Sequence, residues 1–310
     1  MTILLLESLH PDAEELLAGV GKLVRADDPN APRCDFDTVE AILTRGRGRI
    51  GEALLRSCPR LRVIARAGVG LDNLDTQAAH RLGVPVVFAP GGNAETVAEH
   101  TMALVLDIVR GISRQSRAVA AGHWEERSRY AGNEIRGLTL GILGFGNIGQ
   151  RVARFAHMFG MRVLVLAREG RPAPEPCTSV PLPVLLAESD VLTLHLPLTP
   201  ATLGFLGARE IDAMKPGAFI VNTARGALID GPSLRAALAS GRLGGFAADV
   251  LEVEPPVGND ALLDCDRVVL TPHTASLTML TYRAMCMSTA TNVGAILRGE
   301  APDPRSLHRG

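Results

Sequence analysis

The chain has 310 residues, 46% of them hydrophobic and 21% charged, with 32 basic against 33 acidic side chains. That length suffices for about two domains with substantial cores, and the even charge balance gives no reason to expect nucleic acid or an anionic membrane as a partner. The five cysteines (Cys34, Cys58, Cys177, Cys265, Cys286) are odd in number and scattered, with no C-x-x-C pair; a disulfide scaffold or a zinc site is therefore not expected, no metal centre is assigned, and a reducing cytoplasm fits.

The N-terminal stretch MTILLLESLHP has an apolar run without a basic flank or a cleavage-type segment of small residues, so it reads as a first buried strand rather than a leader. No apolar run reaches the length of a membrane span. From Thr2 to about Phe88, strand patterns alternate with helical ones. ILLLES, Ala41 to Thr44, Leu61 to Ala65 and Val84 to Phe88 are strands; DAEELLAGV, opened by Pro11 and Asp12, and GEALLRSCP are helices. Such alternation predicts parallel β-α-β units.

Two loops follow strands in this part. Arg66-Ala67-Gly68-Val69-Gly70-Leu71-Asp72-Asn73 is either an anion-binding nest of backbone N–H groups or a glycine turn with Asp72 as a helix cap. Ala89-Pro90-Gly91-Gly92-Asn93-Ala94-Glu95-Thr96 leads into a helix over Val97 to Ile112. That helix is apolar on most faces, so it is buried at a domain junction or a subunit interface. The first crossing between domains is placed here. Arg114 to Arg136 is a polar excursion carrying the single tryptophan, Trp124.

A second alternating series starts at LTLGILGFGNIGQ, where an apolar run meets Gly144-Phe145-Gly146-Asn147-Ile148-Gly149 and a helix pattern follows. Strand, glycine turn and helix in that order suit a dinucleotide pyrophosphate at a helix N-terminus. Gly144 permits the tight turn, Gly146 lets backbone approach the phosphates, and Gly149 lets helix and strand pack closely. Further strands are expected at Arg162 to Ala167, Val191 to Leu196, Ala218 to Asn222, Gly245 to Asp249 and Val268 to Thr271. Five prolines between Pro172 and Pro183 predict a rigid surface connection after the second of these strands. A long helix between Ser276 and Leu297 returns the chain to the first domain.

Three late stretches each end a strand with polar residues: Val221-Asn222-Thr223-Ala224-Arg225-Gly226, Ala248-Asp249-Val250-Leu251-Glu252-Val253-Glu254-Pro255 and Thr271-Pro272-His273-Thr274-Ala275-Ser276. In a doubly wound sheet all three face the nicotinamide crevice. Interconverting a hydroxy acid and a keto acid needs a proton carrier that works near neutral pH, which histidine supplies. It needs a planar cationic fork for the substrate's oxygens, which arginine supplies. A carboxylate beside the histidine favours its charged form and fixes its orientation. His273, Arg225 and Glu254 fill these roles.

These residues resemble the D-isomer-specific 2-hydroxyacid dehydrogenases, in particular members of the D-3-phosphoglycerate dehydrogenase type. The resemblance rests on ARAGVGLDNLD, APGGNAETVAEHTMALVL, GILGFGNIG, VNTARGALID, ADVLEVEPP and TPHTAS, in that order along most of the chain. It implies His273 as acid/base, Glu254 as its partner and Arg225 on the substrate's carboxylate and carbonyl oxygens. Val69 and Gly70 would hold the carboxylate through their backbone. Asn93 and Thr96 would lie along the cofactor, with Asn93 counted among the substrate-binding residues. Gly144, Gly146, Asn147, Ile148, Gly149, Thr223 and Ala224 would bind the cofactor, and Asp249 would position the nicotinamide carboxamide. The implied fold is α/β, two Rossmann-like doubly wound parallel-sheet domains with a cleft between them. Residues 1–96 and 282–310 would form the substrate-binding domain and 97–281 the dinucleotide-binding domain. Homodimerisation through the helix over Val97 to Ile112 is also implied.

Two departures shape the expectation. At the end of the second strand, 18 residues after Gly149, the family's NAD-specific members carry an acid, whereas this chain has Ala167 followed by Arg168. Arg168 could bind a ribose 2′-phosphate, which favours NADP(H) over NAD(H). About 34 residues follow TPHTAS, so a serine-responsive regulatory extension is not expected. The substrate is a small 2-hydroxy or 2-keto acid. Arg45 and Arg66 end strands and match basic positions of the phosphoglycerate enzymes, so 3-phosphoglycerate is one expectation, with glyoxylate or hydroxypyruvate reduction as the alternative. A corepressor-like, dinucleotide-sensing binding protein is the rival from another class.

Overall fold

The computed structural model describes residues 1–166 and 173–309. The chain divides into two compact units, Met1–Asn93 with Leu277–Gly310, and Ala94–Ser276. These boundaries lie a few residues before the expected crossings at 96 and 281.

In the first unit the elements are β1 (Thr2–Leu5), α1 (Pro11–Ala18), β2 (Lys22–Arg25), β3 (Val39–Thr44), α2 (Glu52–Ser57), β4 (Val63–Arg66), α3 (Thr76–Arg81) and β5 (Val86–Val87). The sheet order is β2-β1-β3-β4-β5, parallel throughout. β1 is buried along its whole length, as a central strand covered on both faces must be. β2, reading KLVR, is an edge strand with exposed ends, and its polar termini hide it from a sequence pattern. The strand order reverses between β1 and β3, so the loops after these two strands open side by side at the switch point, where open α/β sheets collect ligands.

The second unit holds α4 (Ala94–Arg110), α5 (Ile112–Ala120), β6 (Thr139–Leu143), α6 (Asn147–Met158), β7 (Arg162–Leu166), β8 (Thr178–Val180), α7 (Leu182–Glu188), β9 (Val191–Leu194), α8 (Ala208–Asp212), β10 (Ala218–Asn222), α9 (Gly231–Ala239), β11 (Leu243–Ala248) and β12 (Val268–Leu270). The order is β12-β11-β10-β9-β6-β7-β8, again all parallel. The proline-rich stretch expected to be only a connection contains β8, which adds to the sheet beside β7. The switch point lies between β6 and β9, at the glycine turn.

The helix expected over Val97 to Ile112 is α4, ended by Gly111 in the left-handed conformation. Its apolar stripe, including Ala98, Met102, Val105 and Ile108, is buried within its own unit. α10 (Met279–Arg298) belongs to the first unit, where Cys286, Ala290 and Val293 pack into the core around β1, β3 and β4. Among the described residues no helix is long and apolar enough to cross a membrane, and no three His, Cys, Asp or Glu side chains are grouped to hold a metal.

Candidate active site

β10, β11 and β12 are neighbours, so the loops at their carboxyl ends are brought side by side. They carry Arg225, Glu254 and His273. His273 Nδ1 lies 2.7 Å from Glu254 Oε2. The other Glu254 oxygen accepts the Leu251 N–H at 2.8 Å, which braces the carboxylate. Burial works to raise the Glu254 pKa, but the His273 hydrogen bond, the Leu251 N–H and the charges of His273 and Arg225 outweigh it and hold the carboxyl below its usual range. With Nδ1 engaged, Nε2 is the ring atom left for proton exchange.

Arg225 is set by Asn222, a fully buried residue at the end of β10. The Asn222 amide donates to the Arg225 carbonyl at 2.9 Å and its oxygen accepts the Ala224 N–H at 3.0 Å. Gly226 then permits a close backbone approach: a Cβ there would lie 2.0 Å from the Leu251 carbonyl carbon. The Arg225 turn and the loop leading to Glu254 are thus in direct contact.

His273 has φ 55°. Among the described residues it is the one non-glycine in the left-handed region, a conformation costing about 1–2 kcal/mol. Asp249 holds it there. The Asp249 carboxylate, 2% exposed, accepts Thr271 Oγ1 at 2.6 Å and the N–H groups of Thr274 and Ala275 at 2.8 Å each. The Asp249 carbonyl accepts the His273 N–H at 2.9 Å. Both oxygens of this carboxylate, the group expected to position the nicotinamide carboxamide, are engaged by the loop that carries His273.

The glycine turn fits a dinucleotide. Gly144 has φ 100° and a Cβ there would lie 2.5 Å from the His195 carbonyl oxygen, while one on Gly149 would lie 2.1 Å from the Gly144 oxygen. At Gly146 an added Cβ meets open space, leaving its backbone and the first N–H groups of α6 approachable. The bare backbone at Gly144 and Gly149 packs strand against helix, and the exposed face is at Gly146, as phosphate oxygens require. Asn147 is exposed and Ile148 half-buried on the first turn. Thr96 is half-buried at the start of α4; Thr223 is buried against Thr101, hydroxyl to hydroxyl at 2.8 Å, and Ala224 is half-buried. Beside the turn, His195 has both ring nitrogens out of solvent and unbonded, and burial pulls its pKa down to about 3. It is neutral at physiological pH. Ala167 and Arg168 lie outside the described residues.

In the first unit, the switch-point loops carry Glu7 and Arg45. Arg45 donates from Nε and Nη2 to Glu7 Oε2 at 3.2 and 3.1 Å, and its guanidinium stacks 5.1 Å from the Tyr282 ring. Glu7 Oε1 also accepts the N–H groups of Arg45 and Arg47 at 2.7 and 2.8 Å. Burial opposes ionisation of Glu7, but the N–H groups of Arg47 and Gly46 and the Arg45 charge prevail and lower its pKa. Arg66 donates to the Arg45 carbonyl at 2.8 Å and to the Gly70 carbonyl, and lies 3.7 Å from Asp72. The N–H groups of Val69 and Gly70 make no hydrogen bond to another described residue, as a carboxylate nest needs. The Asn93 oxygen is buried without a partner.

Sequence reasoning missed Glu7, Asn222 and His100. Glu7 was accessible to it, since it ends the first strand as Arg45 ends the third. His100 sits one helical turn after Thr96, but its partner is 171 residues away.

The sequence profile described as "D-isomer specific 2-hydroxyacid dehydrogenase, NAD binding domain" matches residues 102–275. A D-3-phosphoglycerate dehydrogenase of Archaeoglobus fulgidus is 40% identical over 242 residues, 77% of this chain but 46% of that protein, so the chain spans about half of that relative's length. A glyoxylate reductase of Aeropyrum pernix is 40% identical over 279 residues, 87% of this chain and 83% of the reductase. The crystal structure of the TT0316 protein of Thermus thermophilus superposes with a TM-score of 0.90 at 34% identity, covering 97% of this chain and 98% of that one.

Proposed function

The chain belongs to the D-isomer-specific 2-hydroxyacid dehydrogenases, and from that footing we propose that it is an NAD(P)-dependent oxidoreductase interconverting a D-2-hydroxy acid and its 2-keto acid. The observation that carries this reading is the 2.7 Å His273–Glu254 pair on the strand-end loops that also hold Arg225. When bound, the reduced nicotinamide supplies the hydride for the keto carbon. Arg225 binds the substrate's carboxylate and carbonyl oxygens and stabilises the charge that develops on the latter. His273, protonated and oriented by Glu254, gives the Nε2 proton to the nascent alkoxide, completing the alcohol; in oxidation the same nitrogen takes the proton back. The Val69 and Gly70 N–H groups suit the substrate carboxylate.

The substrate that the charges favour is small and unphosphorylated, of the glyoxylate or hydroxypyruvate kind, rather than 3-phosphoglycerate. Arg45 and Arg66, the cations expected to take a phosphate, are compensated by Glu7 and Asp72. A phosphate dianion beside Arg45 would stand against the ionised Glu7. For the cofactor we favour NADP(H) on the Ala167-Arg168 sequence. Subunits are proposed to pair through the arm that follows α4, where α5 has no buried residue and Ile112, Val119 and Trp124 are 55%, 52% and 66% exposed; a monomeric mass in solution would remove this reading.

One panel tests the assignment: steady-state rates with glyoxylate, hydroxypyruvate, 3-phosphohydroxypyruvate and bulkier keto acids, each with both cofactors. Highest kcat/KM is expected for an unphosphorylated two- or three-carbon acid with NADPH. A preference for the phosphorylated acid, or a strong NADH preference, overturns the corresponding choice. Cofactor binding without turnover of any acid would favour the dinucleotide-sensing binding protein.

A further inference from the structure

His100 lies on α4, one helical turn after Thr96, with its side chain 24% exposed. Its Nε2 is 2.9 Å from Thr271 Oγ1. Thr271 has one hydroxyl proton, and that proton is directed at Asp249 Oδ1, 2.6 Å away. Toward His100 the Thr271 oxygen therefore offers only lone pairs, and His100 must donate through an Nε2–H. The result is a directed chain: His100 N–H to the Thr271 oxygen, Thr271 O–H to Asp249, and Asp249 receiving the N–H groups of Thr274 and Ala275 on either side of its carboxylate. The residue before Thr274 is His273, in its left-handed conformation.

We infer that His100 is a positioning residue for His273. This rests on the reading of His273 as the proton carrier. His100 fixes the Thr271 hydroxyl rotor, the rotor fixes the Asp249 carboxylate, and the carboxylate holds the backbone that aims the imidazole. An apolar side chain of similar size would fill the same space on α4. It would leave the Thr271 oxygen without its donor in a half-buried place, and the hydroxyl could then turn away from Asp249. Displacing a reacting group by a fraction of an ångström to one ångström lowers rates about 10- to 100-fold without a new contact to substrate being lost.

The test compares His100→Leu with His100→Gln in the full chain, because glutamine can present an N–H close to the position of Nε2 and leucine cannot. Leucine is expected to lower kcat about tenfold with KM for keto acid and cofactor within about twofold, and glutamine to recover most of the loss. Ring-nitrogen NMR of the cofactor-free protein supplies a readout independent of turnover: the His273 Nδ1 signal from the Glu254 hydrogen bond should shift in His100→Leu and return in His100→Gln. Thr271→Val breaks the same link from its other end and must reproduce the loss, and the double variant with His100→Leu should be no worse than the worse single. Wild-type kcat and an unmoved His273 signal in His100→Leu or in Thr271→Val would overturn the inference. So would equal damage in His100→Gln and His100→Leu, which is the outcome for a packing role. If the wild-type protein turns over no keto acid, the reading of the reaction fails, and the NMR comparison still decides the role of His100.

Discussion

Replacing His273 with alanine is expected to lower kcat by about 10³-fold, within the usual range for a general acid–base group, while cofactor affinity stays within about twofold. The separation follows from the geometry. The imidazole is half exposed and bonded to Glu254, whereas the proposed dinucleotide cradle of Gly144, Gly146 and Gly149 follows β6, separated from β12 by β9, β10 and β11 in the sheet. Steady-state kinetics and a nicotinamide fluorescence titration check the two halves; wild-type turnover in the variant would remove His273 from the reaction. The depressed Glu254 pKa adds a pH dependence. A carboxyl whose native pKa is lowered stays ionised above that value, so the pair survives mild acid and is lost only as pH falls below the ordinary glutamate range.

Asp249→Ala should be the most damaging change that touches no substrate atom. It leaves the Thr271 hydroxyl and the N–H groups of Thr274 and Ala275 without their acceptor in a place 2% exposed. At about 1–3 kcal/mol for each stranded donor, less whatever relaxation and water recover, a loss of roughly 3 kcal/mol of stability is expected. The left-handed turn at His273, no longer clamped, relaxes toward a more common backbone, and kcat falls by about 10²-fold in the molecules that remain folded. Denaturant unfolding and kinetics on the same preparation measure both. If the melting curve and kcat match wild type, the carboxylate is not the anchor of this loop.

The two damaging sites differ in how visible they are before folding. His273, Arg225 and Glu254 each lie in the loop after a predicted strand, and strand ends of a parallel sheet face the ligand side, so their placement could be read from order alone. The glycine turn was equally legible, since its spacing encodes the close backbone approaches seen at Gly144 and Gly149. β2 and β8 escaped notice because short edge strands with polar or proline-flanked ends lack an apolar run. The arginines expected at the substrate show a different limit: a sequence shows a cation but not its counter-ion. Glu7 reaches Arg45 only because β1 and β3 are neighbours in the sheet.

By itself, then, the chain's order of residues determined the class of fold and placed the glycine turn, Arg225, Glu254 and His273 at strand ends, because these are carried by local pattern and by the direction of parallel strands. Tertiary structure alone decided which charges already have partners and which side chains hold the loop of His273. Arg45 is paired with Glu7 and Arg66 lies 3.7 Å from Asp72, Asp249 is turned inward to clamp a strained loop, and His100 reaches that clamp from a helix 171 residues earlier. The Glu7–Arg45 and His100–Thr271 pairings run across the fold, and contacts between residues so far apart leave no periodicity or spacing in the sequence from which they could be read.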